Sequence, residues 1–448
     1  MIPNRTILRE RADARRGVPR SLRTVLVCGA MSAVLAVSAC STKANNSSSS
    51  GGGSGSGSAG GSLKTDKGVT SSTITLGVLT DLSGVFATLG KTVTQGAQLY
   101  FADLNAKGGI CNRKIVLNVK DDGYDVQKAV GLYADMAPNV LGMEQLLGSP
   151  INAALKQNIE TDKLLTIPAS WASSILDNPN NMIVGATYDV EMINGIQFLV
   201  DKGLIKKGDK IGHIYLEGEY GANGYAGSQF AAKKLGLTLV GQKITATATD
   251  VTSQITALKA QGVKAIMLTT TPTQTASAAA VDAATGLNVP LLGNNPVYAP
   301  QTLDTAAGPA LQKLLYVAAS WQPFSGSAPG TVAVRNAYLK KYPKDIPNGG
   351  VTWGYGAAAA YSEVLKKACS NGDLTRDGVQ KAFRQTTSID TNGILPTLDY
   401  SKPGDPATRD VLITQPDKAT AGGLKVVQEL KASPLATQYV APEHGKGG

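Results

Sequence analysis

Few residues in this chain are equipped for covalent chemistry. The 448 residues include two histidines, His213 and His444, and four cysteines. A zinc or copper centre needs three or four nitrogen or sulfur ligands gathered in one place, and two isolated histidines with scattered cysteines do not supply them. His213 lies in the apolar run Ile211-Gly-His-Ile-Tyr-Leu216 and reads as a strand residue rather than a catalyst. Asp121 and Asp122 look like a carboxylate pair, but neighbours on a strand project to opposite faces. They read as loop and cap contacts. A nucleophile elbow (Gly-x-Ser-x-Gly), a His-Glu-x-x-His motif and a phosphate-binding Gly-x-x-x-x-Gly-Lys-Ser/Thr loop are all missing from the sequence. The residues point to a binder, not an enzyme, with no cofactor and no metal. Ser149 is a binding candidate: in Gly148-Ser149-Pro150 it opens a helix, where its hydroxyl and the free backbone N–H groups suit a carboxylate without any basic side chain. The same position is an ordinary N-cap, and the two roles are compatible. Asp81, at the end of a strand in Thr80-Asp-Leu-Ser-Gly84, is a candidate partner for a cationic group.

The elements that carry these residues alternate. Ile74–Leu79 reads as a strand. Val93, Ala97, Tyr100 and Leu104 recur at helical spacing until Gly108-Gly109 stops the helix. Ile115, Leu117 and Val119 alternate as a strand, Asp125 caps a helix, and Leu164–Pro168 is again a strand. A second series follows: a helix face of Met192, Ile196 and Leu199, a strand over Ile211–Leu216, and a helix over 222–235 ended by Gly236. Next come a helix capped by Asp250, a strand over Ala265–Leu268, an alanine-rich helix stopped at Gly286, and a strand from Leu291. Repeated βα units imply parallel sheets with helices on both faces. The expected fold is α/β, two Rossmann-like lobes with the ligand cleft between them, at the carboxyl ends of the strands. The stretch after Gln415, rich in Lys, Pro and small residues, reads as weakly ordered.

The N-terminus sets the compartment. Arg15, Arg16, Arg20 and Arg23 precede an apolar run from Val25 to Ala39, ending Val37-Ser38-Ala39-Cys40. A basic segment, a short apolar segment and small residues before a cleavage point describe a secretory signal; a bilayer-crossing helix needs about 20 apolar residues. A cysteine directly after the cut predicts thioether lipidation at Cys40. Residues 1–39 are then the signal and 40–71 a Ser/Gly-rich tether, which as a flexible coil of thirty residues spans about 30 Å root-mean-square. The leader holds seven arginines and two acids, so the formal charge of +10 falls to +5 in the mature chain. No basic run marks a nucleic-acid groove. Cys28 leaves with the leader. Cys111 and Cys369 remain, either as one disulfide, favoured outside the cell, or as two separate buried thiols.

Gly77-Val-Leu-Thr-Asp-Leu-Ser-Gly84, Asp103-Leu-Asn-Ala-Lys-Gly-Gly109, Lys120-Asp-Asp122 and Glu219-Tyr-Gly221 stand in the order seen in type I periplasmic binding proteins. Over about residues 73–415 the chain resembles the branched-chain amino-acid-binding group, the solute receptors of ABC importers. The resemblance implies two lobes joined by three hinge crossovers, near Ala186, Ser320 and Thr397. Lobe one would hold 72–187 and 320–396, and lobe two 188–319 and 397–448. Both Cys111 and Cys369 would then fall in lobe one. It places the family's carboxylate-binding serine at Ser149 and a head-group loop at Ala169-Ser170-Trp171, with Trp171 where a threonine is usual. Tyr220 would close over the ligand from lobe two. At Gly293-Asn-Asn-Pro296, Asn295 stands where amino-acid receptors place a glutamate for the α-ammonium, so amides, urea-like solutes and small organic acids join the amino acids as candidate ligands. The implied partners are a small-molecule ligand and ABC permease subunits. The protein would be a monomer, held on the outer face of the cell membrane by its lipid. A sensing lipoprotein of the same fold, reporting to a membrane signalling partner, is the alternative.

Overall fold

The computed structural model describes residues 63–441; the leader, Cys40, the tether as far as residue 62 and His444 lie outside the described residues, while Lys64–Thr65 at the end of the expected tether forms a short strand paired with Asp373–Leu374. Two sheets organise the chain. One has four parallel strands in the order 114–121, 73–80, 142–147, 166–169. The strand Thr73–Thr80 has neighbours on both edges, and Ile74, Leu76, Val78 and Leu79 are fully buried, as expected where helices cover both faces of a parallel sheet.

The other sheet has seven strands in the order 424–431, 411–416, 315–319, 291–294, 265–269, 210–216, 238–244. Its five central and distal strands are parallel. The pair Val411–Pro416 and Leu424–Lys431 runs antiparallel at one edge, an addition to the mostly parallel sheets the βα units imply. The stretch after Gln415, expected to be weakly ordered, is instead the second strand of this hairpin and a short helix, as far as Ala441. Gly422 and Gly423, with φ of 78° and 74°, make the turn of this hairpin. The following helix Pro434–Thr437 is capped by Ser433, and Ser433 N donates to Asn194 Oδ1 at 2.7 Å.

Helix positions follow the sequence signals closely. Asp125 accepts from Lys128 N at 2.8 Å and caps Val126–Met136. Gly236, with φ 68°, ends Glu219–Leu235. Asp250 sits one residue further out than expected: Val251 is the cap of Thr252–Ala260, and the Asp250 carboxylate accepts from Thr252 N and Oγ1 instead. On the first sheet, Ala87–Ala106 packs against Gly349–Ser370. The contact is glycine on backbone: a Cβ at Gly354 would stand 2.1 Å from Val93 O, and one at Gly96 would stand 2.3 Å from Val351 O.

The chain passes between the two sheets through segments that touch. Ala186 N donates to Ser320 Oγ at 2.8 Å, and Tyr400 OH donates to Ile183 O at 3.0 Å. Cys111 and Cys369 form a disulfide, with Cα atoms 5.9 Å apart. It ties the loop after Ala87–Ala106 to the end of Gly349–Ser370.

Candidate functional site

The carboxyl ends of both sheets meet at a cavity of about 20 Å3, lined on the first-sheet side by Phe86, Tyr124, Gly148, Ser149 and Trp171. Tyr188, Tyr220 and Pro296 close it from the other side. A second cavity of about 30 Å3 lies past Leu89, which lines both, and is bordered by Asn295, Trp321 and Asn348. Such volumes hold a water molecule or two. As the two sides stand, neither cavity holds a ligand of amino-acid size.

Each wall follows from local chain geometry. Asp81 turns the loop after the first strand, accepting from Gly84 N at 2.5 Å, Ser83 N at 3.1 Å and Phe86 N at 2.8 Å, and so fixes Phe86 in the wall. Gly148 caps the helix Ser149–Asp162 with φ 107°, and a Cβ there would meet the Tyr124 ring at 2.9 Å. The Tyr124 backbone is itself left-handed, with φ 63°, an uncommon conformation for a bulky residue and one that gathers at functional sites. Rings then run across the gap between lobes. Phe86 meets Tyr124 at 4.9 Å and Tyr220 at 6.3 Å, Tyr220 meets Tyr188 at 4.7 Å, and Tyr188 meets Trp171 at 5.9 Å.

The polar groups at this cavity are neutral. Ser149 Oγ and Ser170 Oγ lie 2.7 Å apart, both buried, and the Tyr188 hydroxyl interacts with the Ser149 side chain and the Trp171 backbone. Burial, then neighbouring tyrosines and Glu191, hold the Tyr188 and Tyr220 hydroxyls well above the usual tyrosine range, so both stay protonated; Tyr220 OH donates to Thr270 O at 3.3 Å. The cluster presents hydroxyls at a helix N-terminus, the arrangement that receives an anionic oxygen.

Several expected site residues therefore meet: Ser149, Ala169, Trp171 and Tyr220 line one cavity, and Ser170 backs Ser149. The Trp171 ring lines the cavity while Nε1 donates to Val184 O at 2.9 Å. Asn295 borders the second cavity instead. Asp81 lines neither cavity, and its carboxylate is taken up by its own loop. Asp121 and Asp122 likewise serve loops, through Leu82 N and Ser83 Oγ for Asp121 and through Tyr124 N for Asp122. His213 lies in the strand Lys210–Leu216, with Nε2 2.9 Å from Thr269 Oγ1; burial lowers its pKa to about 3 and keeps it neutral. Among the described residues no His, Cys, Asp and Glu group is gathered to hold a metal ion.

Sequence reasoning missed Glu191. It is fully buried on the helix Tyr188–Asp201, and its Oε2 accepts from Asn294 Nδ2 at 3.3 Å and Asn295 N at 3.2 Å. Asn295 Nδ2 donates to Oε1 at 3.0 Å, leaving Asn295 Oδ1 without a partner. Burial pushes the Glu191 carboxyl up to about 8, against the pull of its asparagine donors. At neutral pH it is mostly uncharged. Phe86, Leu89, Tyr124 and Tyr188 were missed as well; the only sequence signal for them is their position after a strand end or beside a helix start.

Two α/β lobes meeting at an aromatic cavity with neutral donors give the architecture of a small-solute receptor. Residues 73–422 match the family model described as "Periplasmic binding protein". A fatty acid ABC transporter substrate-binding protein from Thermomonospora curvata is 44% identical with a TM-score of 0.83, over 85% of this chain and 97% of that one. A branched-chain amino acid ABC transporter protein from Thermus thermophilus with bound valine shares the fold at 19% identity and a TM-score of 0.72, over 84% and 98% of the two chains. A Leu/Ile/Val-binding protein homolog 8 of Brucella abortus (strain 2308) is 27% identical over 212 residues, 44% of this chain. The match spans about half, 51%, of that relative's length. The chain belongs to the periplasmic binding protein family, as its resemblance implied. It is an ABC-transporter-type solute-binding protein, not an enzyme.

Proposed function

We propose that this protein is a lipid-anchored receptor that captures a small monocarboxylic acid with an apolar body and hands it to an ABC importer. The observation that carries this reading is the pairing of Ser149, Ser170 and Tyr188 hydroxyls with an aromatic cavity that has no ionised carboxylate in its lining. An α-ammonium in this cleft would lose its hydration with no charge to replace it, which is costly. Glu191, the nearest buried acid to Asn295, is mostly protonated and already engaged by two amides. A carboxylate with a hydrocarbon or aromatic body needs only what the cleft offers. The 44% identity to a fatty acid substrate-binding protein supports the same class. Crossovers at Ala186, Ser320 and Thr397 would act as the hinges of closure. Lobe one would comprise 72–187 with 320–396, and lobe two 188–319 with the remainder.

Calorimetry of the tether-free protein against short and medium-chain fatty acids, aromatic acids, leucine and valine tests the reading. The expected result is tight binding of a monocarboxylate and weak binding of the amino acids; tight valine or leucine binding would reverse it. Ser149→Ala is expected to weaken the carboxylate ligand by roughly 1–3 kcal/mol, and unchanged affinity would take Ser149 out of the site. Lipid attachment is carried by Cys40 alone in this reading. Cys40→Ala should release the protein into the medium, and a variant that stays membrane-bound would refute the anchor.

A further inference from the structure

Two adjoining cavities away from the interlobe cleft offer volume and unpaired polar groups together. One encloses about 420 Å3 between the loop 176–183, the end of the helix Arg376–Arg384 and the segment 400–407. The other encloses about 840 Å3. Pro179 and Arg384 line both, which makes them two parts of one groove. Pockets that take small molecules run from about 300 to 1,000 Å3, so the groove is of ligand size where the closed cleft is not.

The first part has an apolar wall of Leu176, Ile183, Phe383 and Tyr400. The polar groups are unusual. Gln380 borders the second part, is 4% exposed, and has no partner for either its amide nitrogen or its oxygen. Asn181 borders the first part at 9% exposure; its Nδ2 donates to Ile175 O at 3.0 Å while Oδ1 has no partner. Buried amide atoms are seldom left unmatched, and such atoms bordering one groove require an explanation. Charge adds a third observation. Of the wall acids, Asp177 pairs with Lys156 at 2.5 Å and Asp377 with Lys163 at 2.8 Å, and Glu160 and Asp405 share the wall with Lys381, Lys402 and Arg384. The Arg384 guanidinium, shared by both parts, has no ion-pair or hydrogen-bond partner among the described residues.

We propose that this groove is a second ligand site, separate from the interlobe cleft, for a small organic anion with an apolar body and a hydrogen-bonding group. Arg384 takes the anionic end, Phe383 and Tyr400 pack on the apolar body, and the amides of Gln380 and Asn181 take the remaining polar atoms. The site adjoins two of the chain's passages between lobes, through Ile183 and Tyr400.

The test uses 1-anilinonaphthalene-8-sulfonate, which joins a sulfonate to an apolar ring system through a secondary amine and brightens on leaving water. It is titrated into the full chain and into Arg384→Gln, Gln380→Leu and Ser149→Ala. Arg384 is exposed, so its variant should keep the wild-type Tm, which checks the fold. The expected result is saturable one-to-one binding, weakened about fivefold or more by Arg384→Gln, weakened also by Gln380→Leu, and unchanged by Ser149→Ala. Equal affinity in Arg384→Gln overturns the proposal. Loss of binding in Ser149→Ala places the probe in the cleft and overturns it as well. Absence of saturable binding leaves the groove to water only and overturns it too.

Discussion

Glu191 links the chemistry of the cleft to pH. Its folded pKa of about 8 lies above the ordinary glutamate value of 4.5, so between these limits the native state binds a proton that the unfolded chain releases. Its contribution to stability is then full below about pH 4.5 and is lost as pH rises through 8, with a slope of at most roughly 1.4 kcal/mol per pH unit for this one group. Glu144 acts in the same direction, its carboxyl held well above the usual range by burial. Glu191→Gln should flatten the loss of stability between pH 5 and 8 in urea titrations while leaving monocarboxylate binding at pH 7 nearly unchanged. A steep loss of binding at pH 7 would show instead that the ionised form serves the ligand. Glu191 was not legible in the sequence because its partners, Asn294 and Asn295, stand about a hundred positions later. Only the fold places the helix Tyr188–Asp201 beside the strand that ends there. Ser149 was placed at the cavity by its local position at a helix start, and Tyr220 by the family resemblance. Asp81 looked like a cleft residue from its place at a strand end, yet its carboxylate accepts from the backbone N–H groups of its own turn.

The secondary elements were the most readable layer, since a parallel sheet buried on both faces needs continuous apolar strands and glycine-stopped helices. The edge hairpin was not. Leu424–Lys431 shows one side to solvent and alternates lysine and glutamate with its apolar residues, and that polarity disguises an ordered strand. The packing of Ala87–Ala106 on Gly349–Ser370 was equally hidden, because Gly96 and Gly354 give no signal in a periodicity built on large side chains. The contact leaves no space for a methyl group at Gly354, where the obstacle is the rigid Val93 carbonyl. Gly354→Ala should therefore destabilise the protein by about 1–3 kcal/mol, despite the better helix propensity of alanine. An unchanged or raised Tm would show that the two helices part easily.

At the scale of the molecule, hydrogen bonds as well as rings join the two sides of the cleft. Ser173 Oγ donates to Asp189 Oδ2 at 2.8 Å, and Asn223 Nδ2 reaches both, at 2.5 Å from Ser173 Oγ and 3.0 Å from Asp189 Oδ2. Asn223→Ala should shift the ligand-free population toward the open form, enlarging the radius of gyration in small-angle scattering; an identical curve would deny the knot any part in closure. The indoles stand at the same junction. Trp171 and Trp353 both donate to Val184 O, each at 2.9 Å, and their rings lie 4.9 Å apart, with Trp321 5.1 Å from Trp171. These three are every tryptophan in the chain. Its tryptophan emission, excited selectively at the red edge where the 15 tyrosines do not absorb, thus comes wholly from the junction beside the proposed cleft, and gives an unlabelled optical gauge of occupancy there.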